Sequence, residues 1–328
     1  MNTTKHTTWA ADIGGTQIKL ALLDEHKTIL ERRQIDVNDR TRLEPQLAQM
    51  VSHWQSMTTA HPACATHKPL IALAFAGIVE TTNNRILSTN GKYLDAPDLD
   101  LAAWAQSTCH AKLVIENDAR AACVGEWKAG AGRGCNNLAI MTLGTGIGTS
   151  TIIEGKLLRG IHGQAGVLGG HLPVMLNGPD CTCGSQGCAE AIASTAHLPE
   201  LIQRILKQNP TYLDSPIAKL KSPSYLDIHT WANQNDVLAQ TIERDSIQTW
   251  GAAAVGLVHA YDPERLILAG GVGRSWPAVR TGIQKYLDDH AWTPWGRVDV
   301  LISELGDDAA LIGAAWLPEL SASSQEKS

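Results

Sequence analysis

TWAADIGGTQIKLALLD, residues 8–24, holds two apolar runs around a pair of glycines. Each run is the length of a strand, and two glycines between them make a tight turn, since glycine takes up backbone angles closed to other residues. Strand, turn, antiparallel strand is the reading, and TILERRQIDV (28–37) predicts a third strand beside them. The same opening recurs at NNLAIMTLGTGIGTSTIIEGKLL (136–158), again strand, glycine-rich turn and strand.

After each opening the chain alternates between α and β patterns. Residues 43–58 are expected to be helical, KPLIALAFAG (68–77) a buried strand, DLAAWAQSTC (100–109) a helix, KLVIEND (112–118) a strand, and ARAACVGEWKAG (119–130) a helix closed by glycine. In the second half, an excursion over about 160–250 holds several helices. RDSIQTWGAAAVGLVHAYD (244–262) is then a long apolar helix, PERLILAGGVG (263–273) a strand and glycine turn, WPAVRTGIQKYLDD (276–289) a helix, VDVLISE (298–304) a strand, and DDAALIGAAWL (307–317) a last helix. Two halves with one pattern imply an internal duplication, in pattern and not in letters. The expectation is two α/β domains with a ligand cleft between them. Residues 1–118 form the first domain, rejoined by a helix at about 306–320, and residues 119–305 form the second.

Composition narrows the function classes. The chain has 328 residues, 44% of them apolar, and a net charge of −6. There is no basic stripe for nucleic acid. No apolar run reaches the roughly 18 residues of a membrane span, and MNTTKHTTWAADIGG does not read as a signal peptide. Cys64, Cys109, Cys123 and Cys135 stand apart, as reduced thiols do. A disulfide framework is therefore not expected, and a cytoplasmic setting is.

The glycine turns carry candidate chemistry. In ADIGGTQIK (11–19), Gly14 and Gly15 let backbone amides approach phosphate oxygens without a Cβ in the way. Thr16 and Lys19 add a hydroxyl and a charge, and Asp12 is placed to hold magnesium or its waters. LGTGIGTS (143–150) is a second such turn, with Gly144, Thr145 and Gly146. Either alone is equally a plain hairpin turn; two at matching places point to a nucleotide. Neither is a Walker loop or a dinucleotide-binding turn. In VIENDARAA (114–122), Asp118 sits where a helix cap sits. Its other reading is a general base that takes a proton from a substrate hydroxyl.

CTCGSQGCAE (181–190) places Cys181, Cys183 and Cys188 within eight residues. A structural zinc ion takes four thiolate or imidazole ligands, so one more is needed.

Together these segments resemble the ROK family of sugar kinases and sugar-responsive repressors, over nearly the whole chain. DIGGT with its lysine is similar to the family's first phosphate loop, LGTGIG to its second, ENDA to its catalytic segment, and CTCGSQGCAE to its CxCGxxGCxE zinc signature. LILAGGV, with Gly270 and Gly271, and LGDDAALIGAA are similar to its adenosine-side segments. The resemblance implies a two-domain actin-like, hexokinase-like (ribonuclease H-like) α/β ATPase fold with a zinc-stapled loop. It implies ATP as co-substrate with magnesium, a sugar as the small-molecule partner, no nucleic acid or membrane, and a homodimer. It places the base at Asp118, sugar contacts at Asn117, Glu190, His171, Gly77 and Asn90, and the fourth zinc ligand at His171 in AGVLGGHLPV (165–174). His162 is the competing ligand.

Three departures stand out. The family's Glu-x-Gly-His motif has no glutamate here: Leu168 or Val167 holds the place, according to how the glycines are aligned, and Gln164 is the nearest neutral acceptor. Ordinary glucose is then expected to be a poor substrate. Ala76 in AFAGIVE (74–80) stands where the family often has proline. Only 11 residues precede Asp12, which leaves no room for the repressors' DNA-binding domain. The kinase reading therefore stands ahead of a regulator and of a sugar-binding protein without catalysis.

Overall fold

The computed structural model describes residues 7–64, 68–89 and 91–325. In chain order the elements run β1 (Thr8–Ile13), β2 (Gln17–Leu23), β3 (Ile29–Asp36), α1 (Glu44–Ala60), β4 (Leu70–Phe75), β5 (Ile78–Glu80), β6 (Arg85–Ser88), α2 (Leu101–Cys109), β7 (Lys112–Asn117) and α3 (Asp118–Ala129). Then come β8 (Leu138–Leu143), β9 (Ile147–Ile153), β10 (Lys156–Leu157), α4 (Ala189–Ala193), α5 (Leu198–Gln208), α6 (Tyr225–Ala232) and α7 (Val237–Tyr261). The chain closes with β11 (Arg265–Ala269), α8 (Gly270–Ser275), α9 (Pro277–His290), β12 (Asp299–Ile302) and α10 (Ala309–Gln325). Among the described residues no helix is long and apolar enough to cross a membrane.

Two compact units result. The first comprises the chain up to Arg133, the short segment Arg159–Ala165, and everything from Asp307 on; the second comprises Gly134–Leu158 and Gly166–Gly306. The first unit thus runs past the 118–119 boundary expected from sequence and keeps α3.

The first unit is built on a five-stranded sheet in the order β3-β2-β1-β4-β7. The β1–β2 and β2–β3 pairs are antiparallel, and β1–β4 and β4–β7 are parallel. Strand alternation explains its two faces. Trp9, Ala11, Ile13, Ile18, Leu20 and Leu22 share one core with Leu47, Met50 and Trp54 of α1. Trp9 stacks on Trp54 with centroids 5.6 Å apart. Ala10, Ala21 and Leu23 point to the other face and meet Leu311 and Ala315 of α10.

Helix α10 also packs on α3, backbone against backbone. A Cβ on Gly125 would lie 2.1 Å from the Ala309 carbonyl oxygen, and one on Gly313 only 1.7 Å from that of Ala121. Only glycine permits that approach.

The second unit repeats the plan. Its sheet runs β10-β9-β8-β11-β12, with β8–β9 antiparallel and β8–β11 and β11–β12 parallel. In both sheets the order is third, second, first, fourth, fifth strand. The duplication inferred from the two glycine hairpins is therefore present in the topology. Met141, Leu143, Leu266, Leu268 and Val300 share their core with Trp250, Ala254 and Leu257 of α7 and Ile283 and Leu287 of α9.

Candidate active site

In the first unit the register gathers the site at one end of the sheet. Asp12 of β1 lies opposite Lys19 of β2, and Ile13 aligns with Phe75 of β4 and, through it, with Asn117 of β7. The carboxyl ends of three parallel strands therefore deliver Asp12, Gly77 and Asn117–Asp118 to one edge, the usual place for a ligand on such a sheet.

The cap assignment differs from the sequence reading. Asn117, not Asp118, caps α3: its Oδ1 accepts from Arg120 N at 3.1 Å. Its Nδ2 donates to the Gly77 carbonyl and to Asp118 Oδ1, both at 3.0 Å. Every polar atom of that amide is thus engaged in holding the segment. Asp118, one residue into the helix, accepts a further 2.9 Å bond from Ala119 N on the same oxygen. Gly77 cannot be replaced cheaply, since a Cβ there would lie 2.2 Å from the Ser88 carbonyl oxygen.

Behind this edge is a buried ion network. Glu116 and Arg120 are both fully buried and lie 3.3 Å apart; Arg159 Nε donates to the other Glu116 oxygen at 2.7 Å. Glu116 Oε1 also accepts from Asn117 N, and Arg120 donates to the carbonyls of Arg159 and Ala165. The network ties the segment 159–165 to the strand end that carries Asp118. Burial pushes the Arg120 guanidinium below its usual range while Glu116 opposes the shift.

The electrostatics concentrate negative charge. Burial, then Asp118, raises the Asp12 pKa to about 7; Asp307 adds to the shift, and Lys19 and Lys92 oppose it. Burial likewise raises Asp118, against the Ala119 amide and Lys92. Lys19 pairs with Asp307 at 3.1 Å. Three carboxylates against two ammonium groups is a place a hard divalent cation fits.

The first glycine turn closes through its own backbone, with Gly14 N donating to Gln17 O at 3.1 Å. The glycines are needed for close approach and not for positive φ: a Cβ on Gly14 would sit 2.8 Å from Gln17 O, and one on Gly15 would sit 2.5 Å from Lys92 Cδ. Thr16 is exposed. Lys92 and Tyr93 were not singled out by sequence. Their sequence signal is the Asn-Gly pair of NGKY, which marks a turn but not what the lysine touches; Gly91 has φ +76° and Tyr93 φ +48°. Asn90 lies outside the described residues.

In the second unit, Gly144 and Thr145 line a cavity of about 280 Å³ with Gly271, Tyr225, His229 and Trp276. Gly270 opens α8 directly, at φ +82°, where a turn was expected; a Cβ there would lie 2.4 Å from Leu143 O. The aromatic wall, with His229 and Trp276 rings 5.1 Å apart, was not read from sequence, because its residues are spread over 50 positions of helix and loop. The second turn meets Glu190: Ile147 N donates to Glu190 Oε2 at 2.7 Å, and a Cβ on Gly146 would lie 2.5 Å from that oxygen. The other Glu190 oxygen is 3.9 Å from His171 Nε2.

His171, Cys181, Cys183 and Cys188 form one cluster, with all four ligand atoms within 4.8 Å of one another. Cys183 and Cys188 sulfurs are 3.7 Å apart, and Cys181 Sγ is 3.4 Å from His171 Nδ1. Zn–S bonds of about 2.3 Å in a tetrahedron give a ligand edge of about 3.8 Å, so the set fits zinc. His162 is not in the cluster. Leu168 is 39% exposed, just before the 3₁₀ turn Gly169–His171.

A family model described as "ROK family" matches residues 8–320. The chain is 31% identical over 326 residues to a glucokinase of Streptomyces coelicolor, covering 94% of this chain and 96% of the relative. It is 27% identical over 305 residues to the xylose repressor of Bacillus spizizenii, covering 92% of this chain and 74% of the repressor. Among solved structures, a ROK family glucokinase from Streptomyces griseus in complex with glucose and AMPPNP superposes with a TM-score of 0.76 at 29% identity, covering 95% of this chain and 98% of that one. The fold is the hexokinase-like α/β fold of these sugar kinases.

Proposed function

The chain belongs to the ROK family, and we propose that this member is an ATP-dependent sugar kinase in which Asp118 is the general base. The observation that carries the reading is the sheet edge of the first unit, where one register sets Asp118, Asp12 and the Gly14–Gly15 turn together. Asp118, held by Asn117 and Ala119, takes the proton of a sugar hydroxyl, the 6-hydroxyl of a hexose or hexose derivative. Burial raises its pKa, which makes it a stronger base than an ordinary aspartate. The hydroxyl oxygen bonds to the γ-phosphorus as the bond to the β–γ bridging oxygen breaks, and ADP leaves. Asp12, with Asp307 nearby, would hold magnesium, which neutralises phosphate charge when bound.

The nucleoside sits in the aromatic-walled cavity beside Gly271, and its phosphates reach Gly144–Gly146. His171, Cys181, Cys183 and Cys188 hold a structural zinc ion. Through His171 and Glu190 the zinc loop is joined to the second glycine turn, and these two side chains face the sugar. Leu168 in place of a carboxylate disfavours glucose, because a hydroxyl left without its charged acceptor gives up about 1.5–3 kcal/mol. A homodimer in a cytoplasmic setting completes the proposal.

The test is ADP release with magnesium ATP across hexoses, amino sugars, ketoses and glycosides, with an Asp118→Asn variant beside the parent. Turnover on one sugar that vanishes in the variant supports the kinase and names its substrate. Silence across the panel, from protein that binds ATP and zinc, favours a sensor, as the likeness to the xylose repressor would then suggest.

A further inference from the structure

We propose that Lys92 is a catalytic residue of the transfer, its ammonium touching the γ-phosphoryl group above the Gly14–Gly15 turn. The inference rests on the kinase reading and adds to it a cation that lies outside the glycine turns, the ENDA segment and the zinc loop.

Three observations carry it. First, the Lys92 side chain lies flat on the turn. The position a Gly15 Cβ would take is 2.5 Å from Lys92 Cδ and 3.2 Å from its Nζ, so this glycine makes room for the lysine. Second, the lysine is held there by its neighbours. Tyr93 is buried, donates its hydroxyl to the Gly14 carbonyl at 2.7 Å, and donates its backbone N to Arg40 O. Consecutive residues thus cover consecutive turn glycines. A tyrosine at φ +48° is strained backbone, kept only where the surroundings impose it. Third, the ammonium is near enough to Asp12 and Asp118 to pull both carboxyls down. Lys19, the other cation of the turn, is paired with Asp307. Among the described residues Lys92 forms no ion pair within 4.0 Å.

A preorganised cation aimed at charge that develops in the transition state acts without reorganisation. Lys92 exchanges no proton in the step. The hydroxyl proton goes to Asp118, the sugar oxygen–phosphorus bond forms, the phosphorus–bridging oxygen bond breaks, and ADP carries away the electron pair. The ammonium offsets the charge on the phosphoryl oxygens throughout.

The experiment compares parent, Lys92→Met and Lys92→Arg on the sugar the parent turns over. It measures kcat, KM for sugar and for ATP, and thermal melting. Expected are a fall in kcat for Lys92→Met of roughly 10²–10³-fold, a sugar KM close to the parent's, partial recovery of kcat in Lys92→Arg, and a cooperative melt that shows both variants folded. An unchanged kcat overturns the proposal. So does a loss confined to the sugar KM, greatest for a sugar acid, which would put the ammonium on a substrate carboxylate. No turnover by the parent on any sugar is a different failure: it sinks the kinase reading, and this inference with it.

Discussion

Asn117 and Asp118 show how neighbouring residues divide labour. The cap belongs to the first, and the second is left with one carboxylate oxygen bonded to Ala119 N and Asn117 Nδ2. Burial holds its pKa above the ordinary 3.8. A carboxyl raised in the folded state gives stability that is full below the unfolded pKa and lost as pH rises through the folded one. Asp118→Asn removes that loss. The variant is expected to melt above the parent at pH 8, with the difference shrinking toward pH 4, while its turnover disappears. A lower melting temperature at pH 8 would show that the carboxylate is a net stabiliser. The residue types of this site were legible in the sequence, since ENDA and DIGGT sit where strands end. What was not legible is which oxygen bonds to what. The cap assignment failed because Asn and Asp are equally good caps and only the start of the helix, one residue earlier than read, decides between them. Lys92 was missed for a related reason: nothing in NGKY says that the lysine folds back over a turn nearly 80 positions away.

Elements differ in how far local pattern predicts them. The long periodic helices and the glycine hairpins are readable in their own sequences. The short β5–β6 hairpin and the immediate start of α8 at Gly270 are not, because each depends on a close contact with distant backbone. The α3–α10 contact is the sharpest case. Gly313→Ala must push the helices apart, and is expected to cost about 1–3 kcal/mol, read as a lower midpoint in urea at unchanged slope. A neutral result would mean that the helices separate freely. The cysteine loop is the opposite kind of element, with a candidate metal cluster in place of core. Its exposed segment includes Met175 and Leu176, the latter 93% exposed. The parent is expected to carry roughly one zinc ion per chain, and Cys188→Ser to lose it and to melt at a lower temperature. Retention of full metal content would remove Cys188 from the ligand set. Three of the four candidate ligands are read from spacing. The histidine was supplied by family resemblance, and the structure brings it to the cluster from ten residues away.

On the scale of the whole molecule, the repeated strand order is the feature the sequence carried best, because a glycine turn between two strands survives when letters do not. The unit boundary was carried worst. It depends on α3 and α10 meeting across 180 positions, which no window of sequence displays. A chain ended at Gly306 should therefore lose the first unit entirely, since Ala10, Ala21 and Leu23 would have no partner in Leu311 and Ala315. The expected outcome is insoluble protein, or soluble protein whose β1 amides exchange freely. Protected β1 amides in that truncation would contradict it. The same threading has a consequence in time. On the ribosome, the sheet of the first unit, complete at Asn117, leaves the tunnel about 190 residues before the helix that covers it begins at Ala309. At synthesis rates of about 5–20 residues per second, that nascent surface waits roughly 10–40 s for its own C-terminus. Throughout that interval Ala10, Ala21 and Leu23 lack their cover, and exposed apolar surface of that kind is where nascent chains aggregate or meet chaperones.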